Sequence, residues 1–257
     1  MCLILFAYKT SPRWPLILAS NRDESYARPT QSAGFWKDSS DLLAGRDLDK
    51  GGTWLGLTKR GRFAAVTNYR EAAAQPNYPK SRGVLVENFL RGRVQSLDYL
   101  EQIRSEQHLY AGFGCLLGNL SNLYFYSNRS DEIEGVQAGV HGLSNAFLNT
   151  PWPKLEKGKQ QLHRLITAES SLSSEVLLEM LADRETFELD QLPQTGIDSH
   201  REKILSSKFI AVDERYGTKS STVIMVHESG DVHFVERSFG PWGHLIGESN
   251  FKFAMEN

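Results

Sequence analysis

The sequence predicts a layered α+β sandwich of mostly antiparallel sheets, and three observations predict it. Strand-like runs come in blocks, helix-like runs come in pairs between them, and no apolar run opens a helix through a glycine fingerprint. A doubly wound sheet would need strands and helices to alternate singly. Gly112-Phe113-Gly114 leads into a strand-like run instead of a helix, so it is no dinucleotide loop.

The elements follow in order. Residues 2–8 are apolar and read as a buried strand, 9–15 as a proline-bearing loop, and 16–21 as a second strand. Residues 53–58 and 63–68 flank Lys59-Arg60-Gly61-Arg62, a hairpin turn. Apolar spacing predicts helices over 84–90 and 97–104. Strands resume at 112–117 and 123–126, and 140–147 reads as a polar-studded connection. Pro153 suits the first turn of a helix running to about Thr167, and Ser173 suits the cap of another over 174–182. Residues 189–200 read as a loop, 208–212 as a strand, and 220–227 with 232–237 as a hairpin around Glu228-Ser229-Gly230. No internal repeat or composition break divides the chain, so a single domain over 1–257 is expected.

Composition narrows the function. The chain has 257 residues, 29 basic and 31 acidic side chains, and a formal net charge of −2. That balance gives no electrostatic case for nucleic acid or an anionic membrane as the main partner. No apolar run approaches the ~18 residues of a membrane span. Two cysteines, Cys2 and Cys115, are too few for a disulfide framework, and a cytosolic location with reduced thiols is the expectation. Neither Cys-x-x-Cys nor His-Glu-x-x-His spacing occurs, so no metal site is expected.

Chemistry is sought first at Cys2. With Met1 removed, Cys2 carries both a thiol and a free α-amine. The amine can take the thiol proton and return it to a leaving group, so one residue supplies nucleophile and base. With Met1 retained, the amine is locked in a peptide bond. As an alternative, Cys2 is a small apolar residue opening a core strand. Asn21-Arg22-Asp23-Glu24 ends the second strand, where alternation sets Asn21 and Asp23 on one face and Arg22 on the other. A hairpin with the first strand would bring the Asp23 carboxylate beside the start of the chain; the alternative is a solvated strand end. Asn68, Asn145 and the segment Thr218-Lys219-Ser220-Ser221-Thr222 offer neutral donors and a cation of the kind an acyl-transfer site uses, though each is also an ordinary turn or strand-end residue. His141 stands three residues before Ser144-Asn145, and Trp36 and Trp242 are candidates either to line a ligand groove or to pack.

Taken together, Met1-Cys2-Leu3-Ile4-Leu5-Phe6-Ala7, Ala19-Ser20-Asn21-Arg22-Asp23-Glu24, Gly45-Arg46-Asp47 with Gly51-Gly52-Thr53-Trp54-Leu55-Gly56, Val66-Thr67-Asn68, His141-Gly142-Leu143-Ser144-Asn145 with Thr150-Pro151-Trp152-Pro153-Lys154, and Tyr216-Gly217-Thr218-Lys219-Ser220-Ser221 resemble the NRDE family, which includes the Transport and Golgi organisation protein 2 homologues of animals. The matches run in order to about residue 240. More remotely they are similar to cysteine amidohydrolases acting on bile-salt and penicillin V amides. The resemblance implies a four-layer αββα sandwich of the N-terminal-nucleophile hydrolase type. It also implies catalytic roles for Cys2, Asp23, Asn68 and Asn145, with Asn21 supporting the Cys2 amine and Lys219 near the nucleophile; Arg22 and His141 are further candidates to contact the substrate, His141 being otherwise an ordinary loop histidine. Two departures stand out: Ser20 occupies the place of an arginine in those enzymes, and Lys219 that of a late arginine.

Two functions follow. One is a cysteine amidohydrolase acting on a small acyl amide or thioester. The other is a carrier on the same fold, which the resemblance places in haem trafficking or lipid and acyl-CoA homeostasis. A small-molecule ligand is expected in either case, with no required cofactor. Haem would be a transient ligand, because no Cys-x-x-Cys-His motif or comparable spacing builds a fixed axial set. Oligomeric state is left open.

Overall fold

The computed structural model describes residues 2–71, 77–168 and 172–256. The chain has an α+β architecture and divides into two compact units. The first comprises Met1–Ala27, Ala138–Ser144 and Leu148–Phe253; the second comprises Arg28–Gln137, Asn145–Phe147 and Ala254–Asn257.

In the first unit, β1 (Cys2–Tyr8), β2 (Leu16–Ser25), β10 (Gly139–Leu143), β11 (Tyr216–Val226), β12 (Asp231–Phe239) and β13 (Leu245–Ala254) form one sheet in the order β10-β1-β2-β11-β12-β13. Helix α3 (Pro153–Thr167) lies on β1 and β10, and α4 (Ser174–Leu181) lies on β2 and β11. Two glycines permit the close approach of α3. A Cβ on Gly142 of β10 would come within 2.6 Å of Leu155, and one on Gly158 within 2.5 Å of Leu5. Leu3, Leu5 and Ala7 therefore form the helix-facing side of β1, while Cys2, Ile4, Phe6 and Tyr8 point to the other side. The cap of α4 is Ser173, whose hydroxyl accepts from the Val176 amide, as expected.

In the second unit, β3 (Thr30–Trp36), β4 (Ser39–Asp47), β5 (Leu55–Thr58), β6 (Phe63–Asn68), β7 (Phe113–Gly118), β8 (Leu123–Ser127) and β9 (Glu132–Gly135) form a sheet in sequence order. Its core joins Leu85, Val86, Phe89 and Leu90 of α1 (Gly83–Arg91) and Leu100 and Ile103 of α2 (Ser96–Ser105) to Val66, Phe113, Cys115, Leu117 and Tyr126. From β10 through β12 in the first sheet, and throughout the second, neighbouring strands pair antiparallel. Among the described residues no helix is long and apolar enough to cross a membrane.

Several expectations are corrected. The connection over 140–147 contains β10, which pairs with β1. Residues 208–212 form no strand beyond a single bridge, Ala211 to Gly217. The main chain there turns to meet side chains: Lys208 is fully buried and its ammonium pairs with Asp183 at 3.0 Å. Within the expected loop 189–200 lie a 3₁₀ turn, Leu189–Gln191, and the start of α5 (Ser199–Ile204), capped by Asp198. Strand β2 does not stop at Asn21 but continues through Ser25.

Candidate active site

The polar run Asn21-Arg22-Asp23-Glu24 lies inside the sheet, not at a solvated end. Asn21, Arg22 and Asp23 are all buried. Polar groups stay buried only when they are hydrogen-bonded, and here the bonds come from distant parts of the first unit. Asn21 Nδ2 donates to the Leu181 and Lys208 carbonyls at 3.0 and 2.8 Å, and its Oδ1 accepts from Ser221 Oγ at 2.6 Å. The amide is committed to holding β2 against the C-terminal end of α4. Asp23 Oδ1 accepts from Thr218 Oγ1 at 2.8 Å, and that hydroxyl accepts from the Ile210 amide at 2.8 Å. Tyr216 donates its phenol proton to the Asp23 carbonyl at 3.2 Å. Burial, then the Asp23 and Cys2 charges, hold the Tyr216 phenol well above its ordinary range, so it stays a donor.

Register decides which of these residues shares a face with Cys2. Cys2 opposes Arg22 across β1–β2, and Arg22 opposes Ser220 across β2–β11. Directly opposed residues in antiparallel strands project to the same face. A row therefore runs Cys2, Arg22, Ser220 on the side away from α3 and α4, while Asn21 and Asp23 project to the helix side. Asp23 is next to Arg22 in sequence but on the opposite face, and it reaches the thiol through charge. A β-bulge at Lys219 separates Thr218, opposite Asp23, from Ser220, opposite Arg22. Glu24 falls on the Arg22 face and pairs with it loosely, at 3.9 Å.

Cys2 keeps some exposed surface, but burial pushes its thiol pKa up. Asp23 pushes it further up and Arg22 pulls it down. Such a thiol is protonated near neutral pH and attacks only when a base takes its proton. The end of β1 is pinned by Ser144, whose hydroxyl donates to the Cys2 carbonyl at 2.9 Å. Met1, and with it the state of the Cys2 amine, lies outside the described residues.

The other expected residues are placed as follows. The Lys219 ammonium donates to the Ser25 and Tyr26 carbonyls at 3.4 and 2.8 Å, closing the end of β2. His141 opposes Phe6 and stacks on it, centroids 5.2 Å apart. Its Nδ1 meets Asn149 Nδ2 at 3.0 Å; since Asn149 Oδ1 accepts from the Gly142 amide, the imidazole Nδ1 is the acceptor. His141 sits four strand residues from the Cys2 row, roughly 13 Å at about 3.3 Å per residue. In the second unit Asn145 and Asn68 come together: Asn145 Nδ2 donates to the Asn68 carbonyl at 2.8 Å, and the Arg70 amide donates to the Asn145 carbonyl. Trp36 packs in the core with its indole N–H on the Ala44 carbonyl, whereas Trp242 is 60% exposed.

Sequence reading named Ser220 and Ser144 only within their segments and gave neither a role of its own. Ser220 Oγ is buried with no hydrogen-bond partner among the described residues. Its segment was visible as a candidate, but its face depends on the bulge at Lys219.

A family model described as Transport and Golgi organisation 2 matches residues 1–241. The Transport and Golgi organization 2 homolog of Mus musculus is 38% identical over 277 residues, covering 100% of each chain. The homolog of Homo sapiens is 39% identical over 260 residues, covering 93% of each. Among solved structures, a variant of the conjugated bile acid hydrolase from Clostridium perfringens aligns with a TM-score of 0.50 at 9% identity, covering 99% of this chain and 98% of that one. At that identity the likeness concerns the fold alone: an N-terminal-nucleophile hydrolase type of two antiparallel sheets with helices.

Proposed function

The chain belongs to the Transport and Golgi organisation 2 family, and on that premise we propose that Cys2 is the nucleophile of an acyl-transfer site acting on a small acyl amide or thioester. The observation that carries this reading is the row Cys2, Arg22, Ser220. It sets a thiol beside a buried guanidinium that favours the thiolate, with an unpartnered buried hydroxyl one strand further on.

The chemistry requires removal of Met1. The Cys2 α-amine takes the thiol proton, and the thiolate sulfur adds to the substrate carbonyl carbon. The C–N or C–S bond to the leaving group breaks as the ammonium returns its proton to that group, leaving a Cys2 thioester. Water, deprotonated by the same amine, cleaves the thioester and restores the thiol. Arg22 offsets negative charge on the sulfur, and Asp23, held by Thr218, favours the protonated amine. The roles in holding an oxyanion that the resemblance gives Asn68 and Asn145 are tested by kinetics: Asn145→Ala, if folded, should cut turnover by about 10²–10³.

Intact mass spectrometry of the purified chain reports removal of Met1. Incubation with a panel of N-acyl amides and acyl thioesters should give an acyl adduct on Cys2 and release of the amine or thiol, both absent from Cys2→Ala. Turnover unchanged in Cys2→Ala would overturn the reading. So would retention of Met1, or loss of Met1 with neither adduct nor release across the panel. Stoichiometric, reversible binding of haem or an acyl ligand without turnover would favour the carrier on the same fold.

A further inference from the structure

The edges of the two sheets are not alike. At one edge of the first sheet, β10 is occupied: the Asn149 amide donates to the Gly142 carbonyl, and the Gly142 amide donates to Asn149 Oδ1. In the second sheet, β3 is broken by two register shifts against β4, and β9 is four residues long with Glu132 and Glu134 on it. Short strands, irregular pairing and charged side chains are the usual protection against edge pairing. Strand β13 is not short, and its charges, Glu248 and Lys252, are of both signs. It is ten residues long, ends its sheet, and exposes most of its residues, with Leu245 57% and Ile246 62% exposed.

We propose that β13 pairs antiparallel with β13 of a second copy of this chain, about a two-fold axis at Asn250, joining two six-stranded sheets into one. The sequence of the strand is complementary to its own reverse about that residue. Glu248 opposes Lys252 of the other copy, and this happens twice by symmetry. Ile246 opposes Ala254, so the exposed apolar start of each strand meets the small apolar end of the other. Gly247, beside which a Cβ would meet nothing within 4 Å, opposes Phe253; an aromatic over a strand glycine is a recognised cross-strand pairing. Charges placed to repel a second copy would carry one sign. Here they are opposite and symmetric, which favours self-pairing.

Sedimentation velocity of the full chain across concentration should show a reversible dimer. Lys252→Ala should weaken it mildly and Lys252→Glu by about ten- to a hundredfold, since like charges then face each other twice. Both changes are at an exposed position, and circular dichroism checks that the fold is kept. A second measurement reads the register directly. Opposed strand residues hold their Cβ atoms about 4.5–5.5 Å apart, close to disulfide geometry. Asn250→Cys in a Cys2→Ala background should therefore cross-link into covalent dimers under mild oxidation, while Glu134→Cys on β9 in the same background should not. A wild-type chain monomeric at ~100 μM overturns the proposal. A dimer indifferent to Lys252→Glu, or one that does not cross-link through Asn250→Cys, overturns it equally, because the interface then lies elsewhere.

Discussion

The two cysteines occupy the same kind of element and differ in almost everything else. Cys115 sits in β7, flanked by β6 and β8, with no exposed surface, and burial alone pushes its thiol up to about 12. Cys2 opens β1. Burial raises its thiol too, but Arg22 in the opposing register position pulls the other way and Asp23 adds to the rise. Burial by itself makes a cysteine inert. What distinguishes Cys2 is a strand end that keeps some exposure, with charges of both signs, Arg22 against Asp23 and Glu24, held within reach. The neighbours, rather than the strand, decide the chemistry.

The comparison breaks most readily on reactivity. Under iodoacetamide at pH 8, with adducts located by peptide mass spectrometry, Cys2 should label at least about a hundredfold faster than Cys115, because it keeps some exposure and has Arg22 to favour its thiolate, while nothing offsets the burial of Cys115. Equal rates would show that the charges around Cys2 leave it as inert as a core thiol. The next effect tests the cation. Arg22→Met removes a group that lowers the Cys2 pKa, so the alkylation midpoint should rise and the rate below it should fall, with Cys115 unmoved. A midpoint that stays put would remove Arg22 from the site.

Asp23→Asn should act with the opposite sign. The carboxylate raises the Cys2 pKa, so its neutral replacement should lower the alkylation midpoint. Titration of the alkylation rate against pH reads this, and an upward shift would contradict it. The smallest effect on the thiol belongs to Ser221→Ala. It deprives the buried Asn21 Oδ1 of its donor and should cost about 1–3 kcal/mol in urea unfolding, yet it lies on the helix face and should leave the Cys2 midpoint where it was. A moved midpoint would mean that the two faces of β2 are coupled.

Much of the fold was legible where local pattern and tertiary burial agree. Strand β1 and helices α1 to α4 carry clear apolar spacing, and Pro153 and Ser173 mark their helix starts. The missed strands show why agreement fails elsewhere. In β10 two of five residues are glycine, and Gly142 is there because Leu155 packs on it. Strand β13 has no fully buried residue: its first four residues are exposed, and from Ser249 it alternates only between half-buried and exposed. The run over 208–212 looks strand-like, but its carbonyls and amides serve Asn21 and Thr218. The site was legible as a set of residue types. Cys2, Asn21, Arg22 and Asp23 stood out, but not which of them shared a face.

By itself the sequence determined the family, the chemistry available at Cys2 and the alternation within β2. That alternation is local, because successive strand residues point to opposite faces whatever the strand pairs with. Only the tertiary structure decided that Cys2 meets Arg22 and not Asp23, that a bulge at Lys219 returns Ser220 to their row, and that the polar run is buried. The physical reason is that register belongs to a pair of strands. A shift of one residue turns every side chain to the other face, and nothing within β2 specifies the positions some 20 residues before it and 200 after it against which it aligns.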